Sequence, residues 1–204
     1  MRRSILATLL FVFLTFATPA SSDQSPQELV RDTSTQILMV LRKEAMSTKQ
    51  DPGQMHEMIA ENVMPHFDLE RMGRWTLGKY WRNANMQQRE EFINEFRVLL
   101  IRSYGSALVD YADAEIDYLP FQLKEGDSRV KVYTKLSRKN DAPVKVTYSL
   151  HSTADGWKVY DISVEGISLV ANYRSTFMNK IKQDGLDQLI DQLSAKNRQA
   201  GGAI

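Results

Sequence analysis

The stretch GWKVYDISVEGISLVANYRSTF, from Gly156 to Phe177, decides the fold of this chain, because its hydrophobic pattern changes period in the middle. As far as Val164, apolar and polar residues alternate, which predicts a β-strand, and the apolar residues fall on both of its faces. From Ser168 onward, apolar residues recur every three or four positions, which predicts a helix capped by Ser168. Gly166 is the predicted hinge between the two.

Three further predicted strands precede this stretch. They cover Glu115 to Gln122, Arg129 to Leu136 and Val144 to His151, and the Asn140-Asp141 pair is the predicted turn between the last two. Pro120 interrupts the first of them, which places that strand at an edge of the sheet. Successive strands joined by short turns predict an antiparallel meander of about four strands.

Helical patterns lie on both sides of the predicted sheet. Capping residues and breakers indicate helices that start near Ser25, Pro52, Asp68, Asn85 and Leu186. The helix from Asp68 is predicted to run through DLERMGRWTLGKYW with Trp75 among its buried positions, and the longest helix continues from Asn85 to Tyr111. Helices gathered before and after a meander predict an α+β fold.

The first residues predict export. Arg2 and Arg3 precede an apolar run that is too short to span a membrane, and small residues follow, with cleavage after Ala20 or Ser22 fitting equally well. Residues 1–22 are therefore a predicted signal peptide, and 23–204 form a single predicted domain. Its helical part is expected at about 25–111, its sheet at about 114–165 and its C-terminal helices at about 168–197.

The amino-acid composition limits which binding partners and which cellular compartment are expected. The 26 Lys and Arg residues nearly balance the 25 Asp and Glu residues, so nucleic acid is not an expected partner. Without cysteine the chain has neither a disulfide nor a lipid-modified N-terminal anchor. Small exported eukaryotic domains commonly contain disulfides, so these features favour the bacterial periplasm. The protein is expected to be a monomer there.

Two blocks of sequence carry a resemblance to a known family. The words GWKVYDISVEGISL and NYRSTF form one block, and Phe67 to Leu108 forms the other, with Gly78, Tyr80-Trp81 and Gln88-Arg89 in order. Both blocks are similar to the MlaC family, also called the toluene-tolerance family, of periplasmic phospholipid-binding proteins. The resemblance covers nearly all of the chain that remains after the predicted signal peptide.

The resemblance implies both a fold and a function. Relatives in this family have a curved antiparallel sheet, shaped like the cone of nuclear transport factor 2, packed against several helices around an apolar lipid cavity. A diacyl phospholipid would be the cargo, with no other cofactor. The implied partners are an outer-membrane lipoprotein–porin complex and an inner-membrane ABC transporter with its substrate-binding ring. Shuttling lipid between them would maintain the lipid asymmetry of the outer membrane, and such a carrier is not an enzyme.

Aromatic and aliphatic residues on the sheet and the long helices are the expected lipid contacts. Each of them alone also suits a filled core, and the sequence does not distinguish a filled core from a hollow one. The expected contacts are Trp81, Leu100, Tyr104, Leu108, Val132, Val146, Tyr148, Tyr160, Ile162, Val164, Ile167, Val170, Tyr173 and Phe177.

An enzyme of the same cone-shaped fold, an isomerase or hydrolase acting on a small apolar substrate, is the alternative. Asp161 and Glu165 are its candidate general bases. In a structural role, Asp161 would pair with Lys or Arg of a neighbouring strand, and Glu165 would hold backbone N–H groups at the turn. No nucleophile–base pair and no Gly-rich phosphate loop accompanies them. The histidines His56, His66 and His151 lack the spacing of metal ligands.

Basic residues cluster around the predicted Asn140-Asp141 turn. They are Lys131, Lys135, Arg138, Lys139 and Lys145. Any one of them would serve to protect a strand edge from aggregation. Together they predict a positive surface that speeds encounter with an acidic partner or with anionic head groups.

Overall fold

A computed structural model describes residues 24–46, 52–139 and 141–199. The predicted signal peptide lies outside the described residues, as do Asn140 of the predicted hairpin turn and the last five residues of the chain. The helices are α1 (Pro26–Ala45), α2 (Pro52–Asn62), α3 (Leu69–Leu77), α4 (Lys79–Asn83), α5 (Met86–Val109), α6 (Leu169–Asp184) and α7 (Leu186–Gln199), with a 3₁₀ turn at Met64–His66. The strands are β1 (Glu115–Tyr118), β2 (Arg129–Ser137), β3 (Val144–Thr153), β4 (Gly156–Val164) and β5 (Ile167–Ser168).

Polar side chains fix where the helices begin. The Ser25 hydroxyl accepts from the Glu28 N–H at 3.2 Å, and the Glu28 carboxylate accepts in return from the Ser25 N–H at 2.8 Å. Asn85 and Gln88 form the same reciprocal pair at the start of α5, at 2.9 and 3.0 Å. Asp68 accepts from the backbone N–H three residues further on. Each cap satisfies N–H groups that the first helical turn leaves without a partner, so these starts follow from the sequence.

The five strands form one antiparallel sheet in the order β1-β2-β3-β4-β5, which confirms the predicted α+β architecture. The sheet has five strands instead of about four. β1 ends at Tyr118, short of the predicted Gln122, and Leu119 still donates to the Tyr133 carbonyl at 3.0 Å. Because proline lacks an N–H, Pro120 cannot continue the ladder.

The apolar residues on both faces of β4 have a specific cause. Ser149 pairs with Asp161 and Leu150 pairs with Val159, so Tyr160 is an extra residue without a partner in β3. In a regular strand, residues that are an even number of positions apart point to the same face. The inserted residue shifts this pattern, so residues on opposite sides of the β-bulge share a face when they are an odd number of positions apart. Val159 before the bulge and Ile162 after it therefore lie on one face, and Tyr160 lies on the other.

The change from strand to helix also differs in detail from the prediction. Glu165 and Gly166 both have positive φ, at 49° and 81°, and form a tight turn that brings Ile167 opposite Val164. β5 is therefore a short return strand between β4 and the helix. Ser168 then caps α6 as predicted, accepting from the N–H three residues on at 3.1 Å.

The predicted helix through DLERMGRWTLGKYW is wrong in one respect, since it is two helices. Gly78 separates α3 from α4 with φ 56° and ψ −121°, a conformation that residues with a side chain avoid. Trp75, predicted to be buried, is 37% exposed. In the described part of the chain, no helix combines the length and the apolar character needed to cross a membrane.

Three clusters of buried side chains hold these layers together. The first joins α3, α4, α5, α6 and α7 and includes Phe92 and Phe96. The second joins α1, α2 and the middle of α5 around Leu41 and Ile59. The third packs the start of α1 on the sheet and includes Val132. The space where the three clusters meet is not filled by side chains.

Candidate functional site

A cavity of about 290 Å³ lies between the sheet and the helices α1, α2 and α5. All three buried clusters contribute to its wall. The lining residues are Leu29, Val30, Thr33, Ser34, Ile37, Ile59, Val63, Met64, His66, Phe67, Met72, Leu100, Ile101, Tyr104, Gly105, Leu108, Tyr111, Leu136, Val144, Val146, Tyr148, Val159, Ile162, Val164 and Leu169. No described lining residue is Asp, Glu, Lys or Arg, so the wall suits hydrocarbon.

α1 contributes one wall through a stripe at helical spacing, formed by Val30, Thr33, Ser34 and Ile37. Tyr148 of β3 lines the cavity as well, and its hydroxyl lies near that of Ser34. Burial raises the pKa of Tyr148, which keeps the phenol neutral.

α5 contributes another wall and approaches α2 closely at Gly105. A Cβ atom at this position would lie 3.2 Å from the ring of His56 and 3.3 Å from Ile59. The glycine therefore lets two helices pack closely beside the cavity. Burial, followed by the charge of Arg102, lowers the pKa of His56.

The cavity reaches solvent beside Tyr104 of α5 and Val164 of β4, its two exposed lining residues at 38% and 44%. The opening therefore lies between the C-terminal half of α5 and the Val164 end of β4. Burial, together with the neighbouring hydroxyl of Tyr173, raises the pKa of Tyr104 to about 12. This phenol is a neutral polar group at the opening.

His66 is the other ionisable group of the wall besides the tyrosines. Burial, and then the charge of Lys158, lowers the pKa of His66, so its imidazole is neutral at neutral pH. Lys158 itself donates to the carbonyl of Pro65 at 2.6 Å. The cavity wall thus combines apolar side chains with a few uncharged polar groups.

Seven of the fourteen expected lipid contacts line this cavity. They share either the interior face of the sheet or the cavity face of α5. The seven are Leu100, Tyr104, Leu108, Val146, Tyr148, Ile162 and Val164.

The other seven do not line the cavity. Trp81, Val170, Tyr173 and Phe177 pack into the helical cluster formed by α3 to α7. Val132 points inward but is completely covered, in the cluster where the start of α1 packs on the sheet. Tyr160 is turned away by the bulge in β4 and packs edge-on against Trp75 at 5.1 Å. Ile167 is 70% exposed on the return strand beside the opening.

The sequence interpretation missed the whole contribution of α1 and of the segment from Ile59 to Phe67. A signal for α1 was present in its apolar and small hydroxyl residues at spacings of three and four, which mark a helix face that packs against something apolar. Nothing local marks the segment from Ile59 to Phe67. Its place in the wall depends on a long-range contact, in which Phe67 pairs with Val159 of β4.

The acidic residues considered as general bases have structural roles. Asp161 accepts from the Ser168 hydroxyl at 2.7 Å and from the Val170 N–H at 3.1 Å, so it caps α6 instead of pairing with a lysine or arginine. The Glu165 carboxylate accepts from the backbone N–H of Lys145, which agrees with its predicted structural role. Neither residue lines the cavity.

His151 also has both ring nitrogens occupied. Its Nε2 lies 2.7 Å from Oδ2 of Asp68, and its Nδ1 lies 3.3 Å from Nη1 of Arg71. Since the guanidinium can only donate, Nδ1 accepts and Nε2 carries the proton shared with Asp68. Asp68 in turn donates through its N–H to the Val159 carbonyl at 2.8 Å, so this group joins the start of α3 to both β3 and β4. Among the described residues, no group of three acidic or histidine side chains could hold a metal ion.

Comparison with known proteins agrees with the resemblance seen in the sequence. The family model "MlaC protein" matches residues 31–195. The intermembrane phospholipid transport system binding protein MlaC of Haemophilus influenzae is 25% identical over 93% of this chain and 90% of its own length. The toluene tolerance protein ttg2D of Pseudomonas putida is 29% identical over 94% and 88%.

A solved structure matches the fold as well. It is the phospholipid-binding protein of Ralstonia solanacearum, determined in complex with a phospholipid. The two structures superimpose with a TM-score of 0.75 at 26% sequence identity, over 86% of this chain and 98% of the other. The family model, the two relatives and the shared fold lead to one conclusion: this chain belongs to the MlaC family.

Proposed function

We propose that this protein is a soluble periplasmic carrier that binds the acyl chains of a phospholipid in its apolar cavity. The observation that carries the proposal is the uncharged cavity, which opens to solvent at one end, in a chain of the MlaC family. The bound phospholipid is cargo and not a cofactor. The relative from Ralstonia solanacearum, which holds a phospholipid in the same fold, supports this proposal.

The energetics of lipid transfer explain why such a carrier is useful. Burying one methylene group is worth about 0.8 kcal/mol, so a diacyl lipid with about thirty of them loses on the order of 20 kcal/mol when it enters water alone. A bilayer and a protein cavity bury the same methylenes, so exchange between them is nearly balanced. The carrier therefore lowers the barrier without setting a direction.

Direction must then come from partners. We place the carrier between an outer-membrane lipoprotein–porin complex and an inner-membrane ABC transporter with its substrate-binding ring. Support comes from the name of the Haemophilus influenzae relative, which assigns that protein to an intermembrane phospholipid transport system. Maintenance of outer-membrane lipid asymmetry is the cellular role that follows.

We propose a carrier over a cone-shaped enzyme because the candidate acids are used elsewhere. Asp161 and Glu165 hold backbone and hydroxyl groups, and His151 is held between Asp68 and Arg71. The polar groups that do face the cavity are hydroxyls and one neutral imidazole, without a neighbouring carboxylate in the lining.

Native mass spectrometry with lipid extraction tests this function. The protein purified from a bacterial host should carry diacyl phospholipid at about one molecule per chain. Released lipid should be identified by its head group and chain length, and stripped protein should reload from vesicles. A protein that is consistently empty and that vesicles cannot load would contradict the carrier function.

A further inference from the structure

A second surface, whose cations do not line the cavity, contains basic side chains around the break between α3 and α4. We call it the α3–α6 basic surface and define it by Arg71, Arg74, Trp75, Lys79, Arg82 and Arg174. The Arg174 guanidinium donates to the Trp75 carbonyl at 3.1 Å and lies 3.1 Å from where a Gly78 Cβ would be. Two helices and the turn between α3 and α4 therefore converge there.

The cations of this surface lack carboxylate partners. The ion pairs among the described residues join Arg138 to Asp113 and Asp141, and His151 to Asp68. Arg74, Lys79, Arg82 and Arg174 are exposed, and Glu70 is the one acidic residue in the stretch from Leu69 to Asn83. The Nε of Arg71 is buried without a hydrogen-bond acceptor. On a protein with a net charge of only +1, this is a concentrated positive region.

The basic cluster predicted from the sequence differs in having acidic residues close by. Arg138 lies 3.3 Å from Asp113 and 3.4 Å from Asp141. Lys135 lies opposite Asp117 in the ladder, and the Glu165 carboxylate lies at the backbone of Lys145. Acidic residues thus pair with Arg138 and lie near Lys135 and Lys145.

The α3–α6 basic surface also presents an aromatic ring. Trp75 is held edge-on against Tyr160, and the Arg71 guanidinium stacks over both rings, 5.3 Å from Trp75 and 4.8 Å from Tyr160. The bulge in β4 is what delivers Tyr160 to this side of the strand. An exposed tryptophan among arginines combines an amphipathic ring with fixed positive charge.

We propose that the α3–α6 basic surface binds the anionic head groups of a phospholipid bilayer. Four of its five cations are arginines, whose planar guanidinium matches a phosphate with two parallel hydrogen bonds. Tryptophan is enriched at the head-group level of bilayers. Each basic residue near an anionic membrane surface raises the association constant about fivefold. The proposal rests on the proposed carrier function, since a lipid carrier must approach bilayers, and it adds a membrane-facing surface distinct from the cavity opening.

Vesicle co-sedimentation of the lipid-loaded protein tests the proposal. The vesicles contain phosphatidylglycerol and phosphatidylcholine in equal parts, or phosphatidylcholine alone, at low salt and at about 0.5 M salt, where screening is strong. The test variant is Arg74→Glu with Lys79→Glu. The control is Lys131→Glu with Lys135→Glu, which changes the net charge equally on exposed positions of β2.

The unaltered protein should bind the anionic vesicles at low salt, and release them at high salt. The Arg74→Glu, Lys79→Glu variant should bind at least about tenfold more weakly, and the β2 variant within about twofold of the unaltered protein. Absence of binding to the anionic vesicles, or an equal loss in both variants, overturns the proposal. Binding to immobilised polyglutamate in place of vesicles also overturns it and indicates an acidic protein partner.

The same preparations are analysed for lipid by native mass spectrometry, and circular dichroism confirms that both variants are folded. Lipid content should be equal in all three proteins, because neither pair of residues lines the cavity. If a variant loses vesicle binding but still contains lipid, the defect lies in the α3–α6 basic surface and not in the cavity. An unaltered protein that never contains lipid contradicts the carrier function instead.

Discussion

Ile162 and Val132 face the same side of the sheet, yet their surroundings differ. Ile162 lines the open cavity, whereas Val132 has no exposed surface and packs in the cluster with Leu29 and Leu150. A carboxylate at Val132 would be buried without a partner, while one at Ile162 reaches a space that is open to solvent at one end.

These two positions give the first prediction. Val132→Asp should lower the free energy of unfolding by about 3–5 kcal/mol. Ile162→Asp should keep the fold and abolish lipid loading, and Val146→Asp, also in the cavity wall, should act in the same way. Urea denaturation followed by circular dichroism measures the first effect, and lipid extraction measures the second. If Ile162→Asp unfolds the protein as Val132→Asp does, the site is a solid core.

Tyr104 gives a prediction that depends on pH. Its pKa is raised from 10.0 to about 12, first by burial and then by Tyr173. The neutral phenol is therefore favoured in the folded state, and its contribution to stability is complete below pH 10 and is lost as the pH rises to about 12. The difference in tyrosinate absorbance between the unaltered protein and Tyr104→Phe reports this ionisation.

A second variant separates the two causes. In Tyr173→Phe the pKa of Tyr104 should fall toward its usual value but remain raised, because burial is the larger cause. A Tyr104 that ionises at its usual pKa in the unaltered folded protein would show that the opening is more hydrated than the structure indicates.

At this scale the sequence predicted which residues are apolar but not where each one points. The bulge at Tyr160 shows the physical reason. A strand pattern defines a face only while the ladder stays in register, and a single inserted residue redirects the side chains beyond it. Tyr160 was expected in the cavity, and the register places it against Trp75.

At the scale of elements, the joint between β4 and α6 is held by one side chain. The Asp161 carboxylate bonds to Ser168 and to the N–H of Val170, so a strand residue caps the following helix from nine positions away. The negative charge also lies at the N-terminal end of α6, where the helix dipole favours it.

Asp161→Ala should therefore lower the free energy of unfolding by about 1–2 kcal/mol, the usual cost of losing a helix cap. Asp117→Ala, at an exposed position of β1, is the matched control and should change it by less than about 0.5 kcal/mol. Thermal or urea unfolding measures both. Equal effects of the two substitutions would mean that the Asp161 bonds add nothing to stability.

Helix starts and strand order could be predicted because they are encoded locally, in capping residues such as Asp68 and Asn85 and in turn residues between short strands. The break at Gly78 was missed because the apolar spacing continues across it. The glycine is needed for a backbone conformation and for the space that Arg174 occupies, and neither requirement is visible in hydrophobic periodicity.

At the scale of the whole molecule, cargo and stability are linked. A ligand that binds only the folded protein stabilises it, by about 2.7 kcal/mol when its free concentration is a hundred times its Kd. Removing the lipid should therefore lower the Tm by roughly 5–10 °C for a chain of this size. Scanning calorimetry before and after delipidation measures the change.

Ile162→Asp is the control for this measurement. Since it should carry no lipid, the delipidation treatment should leave its Tm unchanged. A comparable fall in Tm for both proteins would show that the treatment damages the protein directly.

The packing of α1 on the sheet also has a consequence for synthesis, because α1 is made long before the strands that cover it. Leu29 and Val30 are buried against Val132, Leu150 and Val159, which the ribosome adds about one hundred residues later, or roughly 5–20 seconds at usual rates of elongation. Throughout that interval the apolar face of α1 has no native partner, and no cavity exists for a lipid to enter. Lipid can therefore enter only after β2, β3 and β4 have been made and have packed against α1.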